Sequence, residues 1–238
     1  MGAVIALCLL LKLHNYHVVI NPYDCRYYNS YPIKRLVIFG LKIHLYIAQR
    51  GSIEVICHLI AIVMTKMELL QEFDEVANQL LQQLSSLDQE QLNRVPFPAS
   101  WTAGQVGDHL YKSYGIVQIL HGSVEECNRP PDQKLAPIKV AFEDFSIKMK
   151  SPEEILPATQ PIQKTNLLGA LQERLNQQRE AINTLDLTKI CLDYAIPESG
   201  YFTRLEWLGF NVIHTQRHLH QLHHIINIVN DNHAINLI

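Results

Sequence analysis

At 238 residues the chain is long enough for one good-sized domain, or for one domain with an appendage. Its net charge is only −3, and beyond residue 63 it holds no strong basic patch, which argues against a nucleic-acid surface. Five cysteines at positions 8, 25, 57, 127 and 191 form no Cys-x-x-Cys pair and no close spacing, which argues against a zinc ribbon, a thioredoxin-type motif and a disulfide framework; an odd count without a convincing export signal fits a reducing cytoplasm.

Residues 1–63 differ from the rest of the chain. They hold six Lys/Arg against two acids and carry six of the ten tyrosines, with three apolar runs (Ala3 to Leu11, Leu36 to Ala48, Val55 to Met64) that all fall short of the ~18 apolar residues a membrane helix needs. The first run resembles a signal-peptide core but lacks a basic start and a small-residue cleavage site. The segment reads as an atypical N-terminal extension, either upstream sequence preceding a true start at Met64 or Met67, or a membrane-associated or poorly ordered appendage. Mass spectrometry of the protein from its natural host distinguishes them: a peptide within Tyr27 to Arg50 would rule out the late start.

Residues 64–238 read as helical. Leu69, Leu70, Phe73, Val76, Ala77, Leu80, Leu81, Leu84 and Leu87 repeat at the 3.6-residue period and predict a first amphipathic helix from Met67 to about Asp88. Thr102 and Gln105 form a capping box that opens a second helix, with Val106, Leu110, Val117 and Leu120 as its apolar stripe and His109 beside that stripe. Residues 122–164 contain six prolines, too many for one helix, with a short helical piece expected around Ile138 to Ile147. So long a connection suits a crossover between parallel second and third helices. The third helix is expected from Asn166 to Leu185, with Leu168, Leu171, Leu175 and Ile182 inward. A connection over Leu187 to Ser199, with room for a short turn of helix, leads to the Thr203/Glu206 capping box of the last helix. The fold class is all-α, a four-helix bundle.

Five of the twelve histidines lie between His214 and His224. Two pairs have the i, i+4 spacing that stacks side chains on one helix face, His214/His218 and His220/His224. With Leu205 set at zero and ~100° per residue, the stripe Leu205, Leu208, Val212, Thr215, Leu219, Leu222, Ile226 and Val229 centres near ~290°, His214 and His218 near ~180° and ~220°, and His220 and His224 near ~60° and ~100°. Only the first pair borders the interior. His109 flanks the core comparably on helix two, so His109, His214 and His218 make a candidate three-histidine site with an open position for water or substrate. His220, His223 and His224 are expected on the surface, His121 as a favourable cation at a helix C-terminus, and Trp101 and Trp207 as packing residues.

Ser100-Trp101-Thr102 through Asp108-His109-Leu110, together with His214-Thr215-Gln216-Arg217-His218 and the following Leu219 to Leu222, resemble the DinB-like four-helix metal-binding superfamily over residues 67–231. The resemblance implies an up-down-down-up bundle that holds zinc, nickel or a similar divalent ion with three histidines, carried over here onto His109, His214 and His218. Some relatives are S-transferases using bacillithiol, mycothiol or glutathione, one branch isomerises maleylpyruvate, and pairing into homodimers is frequent. This chain departs from the frequent pattern at Thr215, where an acid often follows the first histidine, and at His220, where glycine is common.

The expected function is a metal-dependent S-transferase using a low-molecular-weight thiol and a small-molecule substrate, since a divalent ion with an open position lowers the pKa of bound water or thiol. Gln221, three residues after His218, is a candidate to orient a ligand or substrate. The alternatives are a non-catalytic metal-binding or stress-associated bundle, and a metal-dependent hydrolase. The hydrolase ranks last because no acid stands at ligand spacing.

Overall fold

The computed structural model describes Tyr27–Ser30, Ile33–Leu36 and residues 51–235. The chain divides into two units, Met1–Thr65 and Lys66–Ile238. In the first, strands β1 (Tyr27–Ser30) and β2 (Ile33–Leu36) pair antiparallel, with Tyr27 opposite Leu36 and Ser30 opposite Ile33. The expectations of a late start and of an atypical extension otherwise fall on residues outside the described ones. Among the described residues no helix is long and apolar enough to cross a membrane.

Helix α1 spans Gly51–Ser85, starting well before Met67 because no Gly or Pro interrupts residues 52–85. Its stripe Leu69, Phe73, Val76, Ala77, Leu80 and Leu84 is buried as the periodicity predicts. The helix ends at Ser85, near the expected end at Asp88. Asp88 then caps a short further helix, α2 (Gln89–Asn93), in a reciprocal box with Gln91. Thr102 and Gln105 likewise cap α3 (Ala103–Ser113), which tightens into a 3₁₀ turn at Tyr114–Ile116 before α4 (Val117–Leu120). The crossover carries α5 (Leu135–Glu143), a 3₁₀ turn at Glu153–Ile155, and then α6 (Lys164–Thr184). Helix α5 begins three residues earlier than expected because Pro137 sits in its first turn, where no backbone N–H is needed. In α6 Leu167, Leu171, Leu175 and Ile182 are buried, Leu168 lying at the edge of the core. The last helix, α7, spans Arg204–Ile235.

Side-chain contacts set the helix directions. Lys164 near the start of α6 reaches the carbonyls of Ser85 and Leu87, while Lys66 on α1 reaches that of Asn183 at the far end of α6, so these two run antiparallel. A Cβ on Gly107 would lie 2.8 Å from Leu167 and 3.1 Å from Leu84, and Arg174 stacks over Tyr111, which makes α3 parallel to α6 and opposed to α1. Ser113 and Tyr114 face His214 and Thr215 whereas His109 faces both His214 and His218, so α3 opposes α7. The bundle is therefore up-down-down-up.

Leu187 to Ser199, expected as a connection with a short turn of helix, is where the structure departs most from expectation. In place of a helical turn, β4 (Ile190–Ile196) and β5 (Gly200–Thr203) form a hairpin that β3 (Val124–Glu125) extends to three antiparallel strands. Its turn needs positive φ at Glu198 (65°) and Gly200 (69°), and glycine accepts this without a Cβ penalty. Cys191 on β4 is fully buried beneath it, and burial pushes its thiol pKa up to about 11, which leaves it inert rather than reactive.

The start of α7 is locked by Glu206, whose side chain is fully buried. Its carboxylate accepts from both terminal nitrogens of Arg129 at 2.5 and 2.7 Å, from the Lys134 backbone N–H at 2.9 Å and from the Thr203 N–H at 2.9 Å, the last completing the expected capping box. A buried carboxylate is tolerated because every lone-pair direction has a donor. The same bonds pin the beginning of the crossover to the histidine helix, and Leu135 packs where a Cβ on Gly209 would stand 2.7 Å from it. Glu206→Ala is expected to destabilise the bundle by about 3 kcal/mol, because one partner of a buried pair is lost. Urea unfolding monitored by far-UV circular dichroism measures this.

Candidate metal centre

His109 and Ser113 lie one turn apart on α3, and His214 and His218 one turn apart on α7, so antiparallel packing of the two helices brings four polar groups to one level. The Nε2 atoms of His109 and His214 are 3.1 Å apart and those of His218 and His214 3.0 Å apart, with the three candidate ligand atoms all within 4.8 Å of one another. Nitrogens ~2.0–2.1 Å from a tetrahedral zinc stand roughly 3.3 Å from each other, close to two of these separations.

The far side of each ring is engaged. Nδ1 of His109 donates to the Ile155 carbonyl at 2.8 Å, and Nδ1 of His218 donates to Gln221 Oε1 at 2.8 Å. Nδ1 of His214 meets Ser113 Oγ at 3.1 Å, a hydroxyl able to accept its proton. With protons on Nδ1, all three Nε2 lone pairs point at one another. Bare lone pairs at this distance repel, and a cation between them removes the conflict. The donor set therefore fits a divalent ion held by His109, His214 and His218, whose three ligands leave a tetrahedral fourth position open.

The electrostatics favour neutral, ligand-competent rings. Burial lowers the His109 pKa, and burial together with its two histidine neighbours holds that of His214 well below the ordinary value. That of His218 falls to about 4, again chiefly through burial. Aromatic rings wall the group. Trp101 packs on His109 at 5.1 Å and is nearly parallel to His218 at 6.5 Å, Phe210 stacks on His214 at 5.6 Å, and Phe142 from the crossover meets His214 edge-on at 5.9 Å.

The other histidines whose side chains are described stay apart from this group. His220 stacks on Phe145 at 4.0 Å, His223 pairs with Asn227, and His224 lies against Phe97; all three are exposed. His121 caps α4 at its C-terminal end, and Trp207 is buried among Phe202, Phe210 and Tyr194. Thr215 turns into the core, where it donates to the Asn211 carbonyl at 2.7 Å and so receives the Tyr114 hydroxyl proton at 2.7 Å.

Ser113, Phe142, Phe210 and the Ile155 carbonyl were not singled out by sequence. Ser113 had a usable signal, since it lies four residues after His109 and so on the same face. A backbone carbonyl from a crossover forty-six residues away has none.

An antiparallel packing of α3 and α7 around three converging imidazoles defines a four-helix-bundle protein with a histidine cluster able to hold a metal ion. Residues 72–222 match the family model of the DinB superfamily, and the chain belongs to that superfamily. Among solved structures it is similar to YfiT from Bacillus subtilis, described as a probable metal-dependent hydrolase with an unusual four-helix bundle topology; identity is 19%, coverage 78% of this chain and 92% of that one, and the TM-score 0.43. No curated protein matches the chain.

Ser113→Ala removes the partner of the His214 Nδ1 and leaves the Nε2 ligand in place. It is expected to weaken divalent-metal affinity by about 10–100-fold with helical content unchanged, as measured by competitive titration with a chromophoric chelator.

Proposed function

We propose that this protein is a metal-dependent S-transferase in which His109, His214 and His218 hold zinc or nickel and a low-molecular-weight thiol attacks a small electrophilic substrate. The observation that carries the reading is the convergence of three Nε2 atoms whose rings each have a hydrogen-bond partner on Nδ1. The ligand group contains three neutral imidazoles and no carboxylate, so a divalent ion held there keeps its full charge. When bound, the ion supplies Lewis acidity that lowers the pKa of a thiol at the open position and yields thiolate near neutral pH.

The protein's own residues orient and enclose. Gln221 accepts the His218 Nδ1 proton and holds that ring with Nε2 inward, so its role is to orient a ligand rather than to touch substrate. The Ile155 carbonyl and Ser113 do the same for His109 and His214. Trp101, Phe142 and Phe210 surround the imidazoles with apolar surface, which limits water and strengthens the electrostatic effect of a bound cation on a thiol. Asp108, whose charge acts on His109, is itself committed to the Ala158 N–H and Lys112.

His218→Ala is expected to abolish tight zinc and nickel binding and to reduce thiol conjugation of a model electrophile to the uncatalysed rate, measured across bacillithiol, mycothiol and glutathione. A wild-type protein that binds metal and loses thermal stability on chelation, yet conjugates none of these thiols, would identify the site as structural and reject the transferase reading.

A further inference from the structure

The crossover between α3 and α6 does more than connect them. At one end Arg217, placed between the two ligands of α7, donates to three crossover carbonyls: Phe142 at 2.8 Å, Asp144 at 3.1 Å and Ile147 at 2.6 Å. Its guanidinium also lies 5.5 Å over the Phe145 ring, which stacks on His220 one turn along. A tight turn braces this end, with the Asp144 carboxylate accepting from the backbone and hydroxyl of Ser146 at 2.9 and 2.6 Å.

At the other end four side chains of α3 grip the chain. His109 donates to the Ile155 carbonyl at 2.8 Å, Lys112 to that of Leu156 at 2.7 Å and Gln105 to that of Ala158 at 3.0 Å, while Asp108 accepts from the Ala158 N–H at 2.8 Å. One of these four is a metal-ligand candidate. Between the anchors Lys148, Met149 and Lys150 are exposed, and Phe142 at the first anchor faces His214 just as Ile155 at the second faces His109.

We infer that residues 142–158 form a strap across the metal end of the bundle, latched to α7 by Arg217 and to α3 by His109, and that metal occupancy holds this strap closed. The coupling resides in one ring. His109 offers Nε2 to the ion and Nδ1–H to the Ile155 carbonyl, so an ion that fixes the ring plane also fixes the second latch and strengthens its donor. Linkage makes the effect mutual: whatever factor metal contributes to closure, closure contributes to metal affinity. The strap then governs entry to the site and the rate at which the ion leaves it.

This inference rests on the three-histidine metal reading, and the experiment separates the two. The full chain is digested with trypsin under native conditions, with and without saturating Zn²⁺, while cleavage after Lys148 and Lys150 is followed by mass and Zn²⁺ binding is titrated in parallel. Cleavage within α6, after Arg174 or Arg179, controls for global opening. Zn²⁺ is expected to slow strap cleavage by about tenfold relative to that control, because cleavage of a transiently open segment tracks its open population. Arg217→Ala is expected to raise strap cleavage and to weaken Zn²⁺ binding by a similar factor. Phe145→Ala, at an exposed side chain that also contacts the latch, makes the same test should the arginine variant fail to fold. If Zn²⁺ binds and the strap is cut equally fast, the coupling is wrong while the metal site stands; the coupling is equally wrong if an opened strap leaves Zn²⁺ affinity unchanged. If Zn²⁺ does not bind the wild type, both readings fall.

Discussion

The structure turns on three imidazole Nε2 atoms that face one another between α3 and α7. The Nε2 atoms stand 3.0 and 3.1 Å apart with the opposite side of each ring hydrogen-bonded, and in the tautomer that carries the protons on Nδ1 they present three lone pairs that a cation would bridge. The surrounding features make this arrangement tolerable. Aromatic rings exclude water, burial holds the imidazoles neutral, and the outer partners fix which nitrogen faces inward. A site of this kind needs rigid supports, and both of its helices are anchored by packing along their length.

Those supports include a polar seam running beside the ligands. Tyr114, in the 3₁₀ turn after α3, joins Thr215 of α7 one residue beyond the Ser113–His214 contact, and Asn211 joins α7 to Gln178 of α6 at 2.8 Å. All four side chains are buried, which raises the Tyr114 phenol pKa and makes each bond specific to one helix register. A slip of one residue would strand these groups and separate the imidazoles together. The buried Glu206 acts similarly at the N-terminal end of α7, fixing where the helix begins and where the crossover is attached.

Much of the bundle was legible in sequence because helix geometry is local. The periodic leucines of α1, the two Ser/Thr-type capping boxes at Thr102 and Thr203, and the angular position of His214 and His218 beside the core stripe all follow from 100° per residue. Proline density marked the crossover for the same reason. The β4–β5 hairpin was missed because its strands are short and its pairing is set by contacts with β3, about seventy residues away in the chain. Its positive-φ turn at Glu198 and Gly200 was the available signal.

The sequence by itself determined where the main helices lie, which face of each is apolar, and which histidines stand next to a core, since these depend on neighbours three or four positions away. Only the tertiary structure decided that His109 meets the pair on α7, that Ser113 and the Ile155 carbonyl orient the rings, and that Arg217 draws the crossover over the site. The physical reason is separation along the chain. Contacts spanning from 46 to 105 residues depend on how whole helices pack and which way the crossover returns, and a backbone carbonyl carries no side-chain identity from which its partner can be read.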